Sequence, residues 1–275
     1  MENLWKGLKE HKTFRFTTLL VVLLIALVVL APVIAPYNPL EAVMKDANQA
    51  PSMAHLFGTD KLGRDVLSRI LYGGAYSLSS VLALVAIIFC VGTFLGLVAG
   101  YFGGIIDTVI MRIADMMISF PGVILAIAIA GIMGGSLVNA MIALTAVTWT
   151  KYARLSRSMV LKIRKRDFVD AAIVSGGTSS HILWSHIMPN VVPILVITAV
   201  SDIGAMMMEL AGLSFLGFGS QPPAPEWGLM LNEGRQQLQT APWLMIFPGL
   251  DIFISVVIFN LWGDALRDVL DPRDN

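Results

Sequence analysis

Long uncharged apolar runs alternate with short charged stretches along this chain, and the runs exceed what a soluble helix needs. Thr17 to Met44 carries one charge, Glu41, while none lies between Arg69 and Asp107 or between Asp115 and Lys151. A helix must supply about 20 apolar residues to cross the hydrocarbon core of a bilayer, so these runs predict membrane spans. Six spans account for the pattern, at about 17–36, 77–100, 108–131, 136–153, 190–217 and 243–263. The expected fold class is therefore an all-α membrane protein of six transmembrane helices. A short amino tail (1–16) precedes a single transmembrane domain over 17–275. The first run also admits a cleaved secretory signal. Its apolar core of about 19 residues exceeds the 7–15 of a signal segment and no clear A-x-A site follows, so a retained span is expected.

Orientation follows from Lys and Arg, which accumulate on the cytoplasmic side of membrane proteins. The amino tail has Lys6, Lys9, Lys12 and Arg15. The stretch after span four has Lys151, Arg154, Arg157, Lys162, Arg164, Lys165 and Arg166, and Arg112, Arg267 and Arg273 join them. Six spans put these 14 of the 19 basic residues on one side and leave Lys45, Lys61, Arg64, Arg69 and Arg235 opposite. Both termini are then cytoplasmic, and segments 37–76 and 218–242 face outward. Charged residues make up only 14% of the chain, against roughly 25% for a soluble domain. The zero net charge gives no footprint for nucleic acid, because the basic residues track topology. Cys90 is the single cysteine, which excludes a disulfide framework. The histidines, His11, His55, His181 and His186, fall on both sides and cannot share one metal. No G-x-x-x-x-G-K-[ST], H-E-x-x-H, C-x-x-C or G-x-S-x-G is present, so neither ATP binding nor catalysis is expected of this chain. Gly92, Gly96, Gly100 and Gly104 form a stripe at four-residue spacing, suited to close helix packing inside the chain or against a partner.

Between spans four and five, Asp170-Ala171-Ala172-Ile173-Val174-Ser175-Gly176 leads to His186-Ile187-Met188-Pro189. Two short helices broken at Gly176 fit this pattern, with Pro189 in the first turn of span five, where a missing N–H costs nothing. The segment resembles the E-A-A, three residues, G, nine residues, I-x-L-P loop of binding-protein-dependent ABC importer permeases. The spacing matches in full. Asp170 stands for Glu, His186 for Ile and Met188 for Leu, and His at this point is common in the peptide and nickel branch. Phe57-Gly58-Thr59-Asp60-Lys61-Leu62-Gly63-Arg64-Asp65, Met111-Arg112-Ile113-Ala114-Asp115, Gly212-Leu213-Ser214-Phe215-Leu216-Gly217 and Asn260-Leu261-Trp262-Gly263-Asp264 are similar to segments of the second permease subunit of that branch.

The resemblance implies a type I ABC importer permease fold in the bacterial cytoplasmic (inner) membrane. It implies a paired permease subunit, two ATPase subunits that hold ATP and Mg, and an extracytoplasmic substrate-binding protein. The loop 166–189 would form coupling helices seated in the ATPases through Asp170, Ala171, Ala172, Gly176, His186 and Pro189. Asp60, Arg64, Asp65, Glu226 and Trp227 are expected on the outward face as docking residues for the binding protein, with Trp227 as an interfacial anchor the plainer alternative. Asp202 and Glu209 lie seven residues apart on one face of span five, with Met206 and Met207 between. Charge at membrane depth costs at least about 2.5 kcal/mol, so these residues are expected to line the pathway, face the paired permease or meet a neutralising partner, with interhelical packing of protonated or paired carboxyls the plainer alternative. Asp251 is a weaker case of the same kind. Arg112 with Asp115, and Arg267 with Asp271, read as local ion pairs. Ser201 to Met207 is more like nickel permeases and Gln221 to Pro225 more like peptide permeases. Nickel or a nickel chelate is the first expected cargo and short peptides the second. Outside the importer class, an autonomous secondary transporter and a structural membrane subunit are the competing readings.

Overall fold

A computed structural model describes residues 11–270, and all its regular structure is helical. Lys6, Lys9, Asp271, Pro272 and Arg273, and with Asp271 the expected Arg267–Asp271 pair, lie outside the described residues.

The first helix, α1 (Lys12–Val29), carries Lys12 and Arg15 at its start, is uncharged from Phe16 on, and buries only Phe14, Thr17, Val21 and Leu24. A loop with short turns at Ala31–Ile34 and Met44–Asp46 leads to α2 (Val66–Phe102). Asp65 caps α2 by accepting from Ser68 N at 2.8 Å, which satisfies one of the orphan N–H groups of the first turn. At 37 residues and 1.5 Å per residue, α2 is about 55 Å long and projects past a bilayer core of about 30 Å. Its first three turns, 66–76, lie in the segment expected to be an outward-facing loop, where Arg69 reads as solvent-exposed.

The third predicted span is not one helix. α3 (Gly104–Ile118) and α4 (Gly122–Met133) are bent by 93° at a break of at most four residues, where Pro121 cannot continue the preceding turn. α3 lies against α5 (Leu137–Ile163), and Asp107 pairs with Arg157 and Asp115 with Arg154. The expected Arg112–Asp115 pair is thus replaced by a bond between helices. α5 outruns the predicted fourth span because Ala153, Ser156 and Val160 continue its buried stripe at helical spacing, while Arg154 and Arg157 leave it sideways.

The glycine stripe packs inside the chain. A Cβ on Gly92 would lie 2.5 Å from the Trp149 carbonyl oxygen, and one on Gly96 2.3 Å from that of Ala153. At Gly100 the nearest atom would be Val160 Cβ at 2.8 Å. Backbone-to-backbone approach of this kind is how membrane helices gain dispersion contact. Gly104 faces open space instead and turns the chain at φ +57°.

After α5 come the short α6 (Asp167–Val174), the long α7 (Met188–Phe215), α8 (Trp227–Gly234) and α9 (Trp243–Leu270). The main core gathers Leu84, Ile88, Met207, Leu210, Trp227, Ile252 and Phe259 from α2, α7, α8 and α9. A second cluster, at the far end of α2, joins Leu97, Val160, Val169, Ile182, Leu183 and Ile187. Leu23, Phe94, Ile105, Ile132 and Phe253 stand exposed, as a chain solvated by lipid requires. Among the described residues four helices are long and apolar enough to cross a membrane, or up to five if the bent pair counts as one.

Candidate functional site

At the end of the bundle that carries Arg164 and Arg166, the loop between α5 and α7 is built on a small apolar anchor. Val169 of α6 is fully buried among Ile182, Leu183 and Ile187. That anchor turns the other face of α6 outward, so Asp170, Ala171, Ile173, Val174 and Gly176 are exposed and Ala172 is half-buried. Asp167 and Asp170 sit in the first turn, where a carboxylate complements the helix dipole. Gly176 ends the helix at φ +81°, in the left-handed region that glycine enters without penalty. Its N–H donates to the Ile173 carbonyl at 3.0 Å and that of Gly177 to Ala172 at 3.0 Å. Phe168, Ile173 and Val174 present an apolar surface here, Val174 being 87% exposed.

The chain does not form two short helices around Gly176. α6 is one. The other is the start of a continuous 37-residue helix, Ser179–Phe215, entered through a Thr178 cap and a π-helical turn at Ile182–Ile187. His186 is half-buried in that turn, its ring centroid 5.4 Å from that of His181, and Pro189 falls in the first turn of α7. The exposed loop is therefore joined, without a break in helix, to the segment bearing Asp202 and Glu209.

The opposite end departs from the sequence reading. Asp60, Arg64, Asp65, Glu226 and Trp227 are all buried, at 7%, 2%, 2%, 2% and 2% exposure, and do not offer a docking surface or an interfacial anchor. Asp60 and Arg64 instead form a polar staple with Arg69 and Glu233. Asp60 accepts from Arg64 Nε at 2.6 Å and from Arg69 Nη1 at 2.8 Å, and Glu233 accepts from Arg69 Nη2 at 2.8 Å and from Arg64 Nη2 at 3.1 Å. Two guanidinium groups thus meet two carboxylates, and the buried charge cancels. Asp65 caps α2 and also meets His55 Nδ1 at 2.9 Å. Glu226 caps α8 by accepting from Gly228 N at 2.9 Å and Leu229 N at 2.8 Å. Trp227 donates its indole N–H to the Ile70 carbonyl at 3.0 Å. Burial pushes the carboxyl of Glu226 above its ordinary value, against the pull of its two N–H partners. Burial does the same to Glu233, with Arg64 opposing it. Arg69 and Glu233 were missed by the sequence reading. A charge-rich segment outside the lipid reads as exposed, and only the fold brings Glu233 to Arg69.

Inside the bundle, Asp202 has a neutralising partner in its own chain. Lys151 Nζ lies 2.7 Å from each carboxylate oxygen, and the Tyr152 hydroxyl donates at 2.8 Å. Asp202, Lys151, Thr198, Ser201 and Arg267 line a cavity of about 530 Å³. Met206 and Met207 are packed in the core at 5% and 2% exposure and line no open path, because that side of α7 faces α2 and α9. The methionine that reaches the surface is Met208, 56% exposed. It shares a cavity of about 200 Å³ with Glu209, Val123, Leu144, Leu213 and Leu216. No group of three or more His, Cys, Asp or Glu able to hold a metal occurs among the described residues.

The family model described as "Binding-protein-dependent transport system inner membrane component" matches residues 92–274. A second model, the N-terminal TM domain of oligopeptide transport permease C, matches residues 1–51. The chain is 41% identical to the dipeptide transport system permease protein DppC of Alkalihalophilus pseudofirmus, over 98% of this chain and 88% of that one. It is 43% identical to the glutathione transport system permease protein GsiD of Pectobacterium atrosepticum, over 98% and 90%. It is 41% identical to the nickel transport system permease protein NikC of Escherichia coli K12, over 94% and 95%. Among solved structures, the MetNI methionine ABC transporter in inward-facing conformations superposes with TM-score 0.52 at 20% identity, covering 72% of this chain and 96% of that one.

Proposed function

The chain belongs to the family of binding-protein-dependent transport system inner membrane components, and from that membership we propose that it is one of two paired permease subunits of an ATP-driven importer. The fold is that of a type I ABC importer permease. In this reading the chain crosses a bacterial inner membrane six times, with α3 and α4 together as one broken crossing, and keeps both termini and the α6 loop on the cytoplasmic side. The observation that carries the reading is the loop: an exposed apolar face on α6, held by Val169 and joined through Gly176 to a helix that continues unbroken to Phe215. A rigid element pressed by one subunit can carry a rearrangement into a packed bundle.

In this account two separate ATPase subunits hold ATP and Mg and close on the α6 loop, through Asp170, Ala171, Ala172 and Gly176. The chain itself performs no chemistry. The buried staple at the outward end keeps α2 and α8 rigid, and the exposed Lys61 and Arg235 beside it meet the binding protein when it delivers cargo. Glu209 and Met208 face the path shared with the paired permease. The relatives transport dipeptides, glutathione and nickel, and the cargo here falls in that range of short peptides or nickel.

The test is co-purification and reconstitution. The chain should bring down its paired permease and an ATPase from detergent-solubilised membranes. Proteoliposomes of the complex should take up cargo only with internal or added ATP and loaded binding protein. Uptake by the chain alone, driven by an ion gradient, would return it to the secondary transporters.

A further inference from the structure

Glu209 is a carboxylate at membrane depth for which the described residues supply no bonded partner. Asp202, two turns away on the same helix, is held by Lys151 and Tyr152, whereas Glu209 makes no hydrogen bond or ion pair among the described residues. It is half-buried in the wall of the cavity of about 200 Å³ between α4, α5 and α7. Apart from this carboxylate and the Met208 thioether, the side chains named in that wall are aliphatic: Val123, Leu144, Leu213 and Leu216. A charge so placed costs several kcal/mol, and the cost is met by taking up a proton or by a cationic group from outside the chain.

Two features narrow what answers it. The volume is below the roughly 300–1,000 Å³ of a site for a whole drug-sized ligand, so it admits one end of a molecule. The chemistry is one anion in an apolar frame. A bare divalent cation needs several oxygen, nitrogen or sulfur ligands. Glu209 and Met208 offer two donors, and the described residues hold no group of three or more His, Cys, Asp or Glu. A protonated primary amine carrying an apolar substituent needs only the carboxylate, and its substituent fills the aliphatic wall.

We infer that Glu209, with the cavity formed by Val123, Leu144, Met208 and Leu213, is a transit subsite for the protonated amino terminus of a short peptide cargo, its first side chain lodging against the aliphatic wall. This inference rests on the importer reading above and assigns its cargo class. It makes Glu209 a specificity residue of the path, distinct from the binding protein's own selection. Charged hydrogen bonds are the strong ones, so loss of the carboxylate removes a preference of roughly tenfold or more for cargo with a free amine.

The experiment uses the assembled complex in proteoliposomes with its binding protein. Uptake of an Ala-Leu dipeptide is compared with that of its desamino analogue, each at a concentration that saturates the binding protein. The wild-type complex should transport the dipeptide about tenfold faster. Glu209→Gln should bring the two rates within about twofold of each other while loaded binding protein still stimulates ATP hydrolysis, and Glu209→Asp should restore part of the preference. An unchanged preference in Glu209→Gln overturns the inference, as does equal loss of both cargoes. Failure of Glu209→Gln to assemble with the paired permease also overturns it, by assigning the carboxylate to a subunit contact. Transport of free nickel with no uptake of dipeptide overturns it for the other cargo class. Absence of any ATP-dependent uptake by the wild-type complex is a different result, and counts against the importer reading itself.

Discussion

Replacing Arg69 by Met tests whether the outward ends of α2 and α8 are held by charge. Met keeps most of the volume and removes the guanidinium. Arg69 is 1% exposed and bridges Asp60 and Glu233 at 2.8 Å each. Without it the buried cluster goes from neutral to a net charge of −1, with Arg64 alone facing two carboxylates. Removing one member of a buried ion group costs about 3–5 kcal/mol. Part is returned, because Arg69 Nε has no acceptor and its burial penalty of about 1 kcal/mol disappears with it. The net expectation is a loss of roughly 2–4 kcal/mol. For a chain of this size that is on the order of 5–15 °C in unfolding midpoint, read as loss of the monodisperse species after heating in detergent. Arg69→Lys keeps the charge and loses the fork, so it should fall between wild type and Met. The effect also has a sign in pH. Glu233 already titrates above its ordinary value through burial, and losing Arg69 raises it further. The penalty for an unpaired carboxylate is present where Glu233 is ionised and fades as pH falls through its folded-state pKa. Destabilisation by Arg69→Met should therefore be larger at pH 8 than at pH 5. A midpoint change under about 2 °C, or a Lys variant as damaged as Met, would show that the cluster is not a staple.

Gly96→Leu should destabilise α2 against α5 by about 3 kcal/mol or more, since its Cβ meets the Ala153 carbonyl oxygen at 2.3 Å and backbone cannot yield as a side chain does. Gly212→Ala, with nothing within 4 Å, should be neutral by the same thermal assay, and equal damage in both would refute the packing. In a background where the exposed Cys90 is replaced by Ala, cysteines at the exposed Ser52 and Thr240 should react with an impermeant reagent from outside the cell. A cysteine at Ser179, also exposed, should react only from inside, and external labelling there would invert the proposed orientation.

Much of the fold was legible because lipid imposes a simple rule: a run without charge, about 20 residues long, is a span. The break at Pro121 and the extension of α5 were also written in the chain, as a proline inside an apolar run and as Ala153, Ser156 and Val160 at helical spacing. The loop was legible in part. Gly176 marks the left-handed turn, but the helix that resumes at Ser179 runs on into α7, because Ile182, Leu183 and Ile187 bury against Val169 and Leu97. The outward end was not legible. Asp60, Arg64 and Arg69 look like a solvated segment until Glu233 arrives from far along the sequence, and burial of charge depends on that tertiary meeting. The methionines illustrate the same limit. Met206, Met207 and Met208 are adjacent and chemically equal, and only the packing of α7 against α2 and α9 sends two inward and one out.

The coupling role of the α6 loop is tested most directly by ATPase association and cargo uptake, taken together, for Gly176→Trp. Gly176 is exposed, and a Cβ there meets nothing within 4 Å of its own chain, so the added ring has room in the isolated subunit. The cost inside the chain is the left-handed backbone, roughly 1–2 kcal/mol for a non-glycine residue, and Gly176→Asn, which tolerates that conformation better, is the control. Gly176→Trp should still insert and pair with its partner permease but lose retention of the ATPase in pull-down and lose uptake, while Gly176→Asn keeps most of both. Normal uptake by Gly176→Trp would contradict the account, and so would lost uptake with full ATPase association and normal stimulation by loaded binding protein.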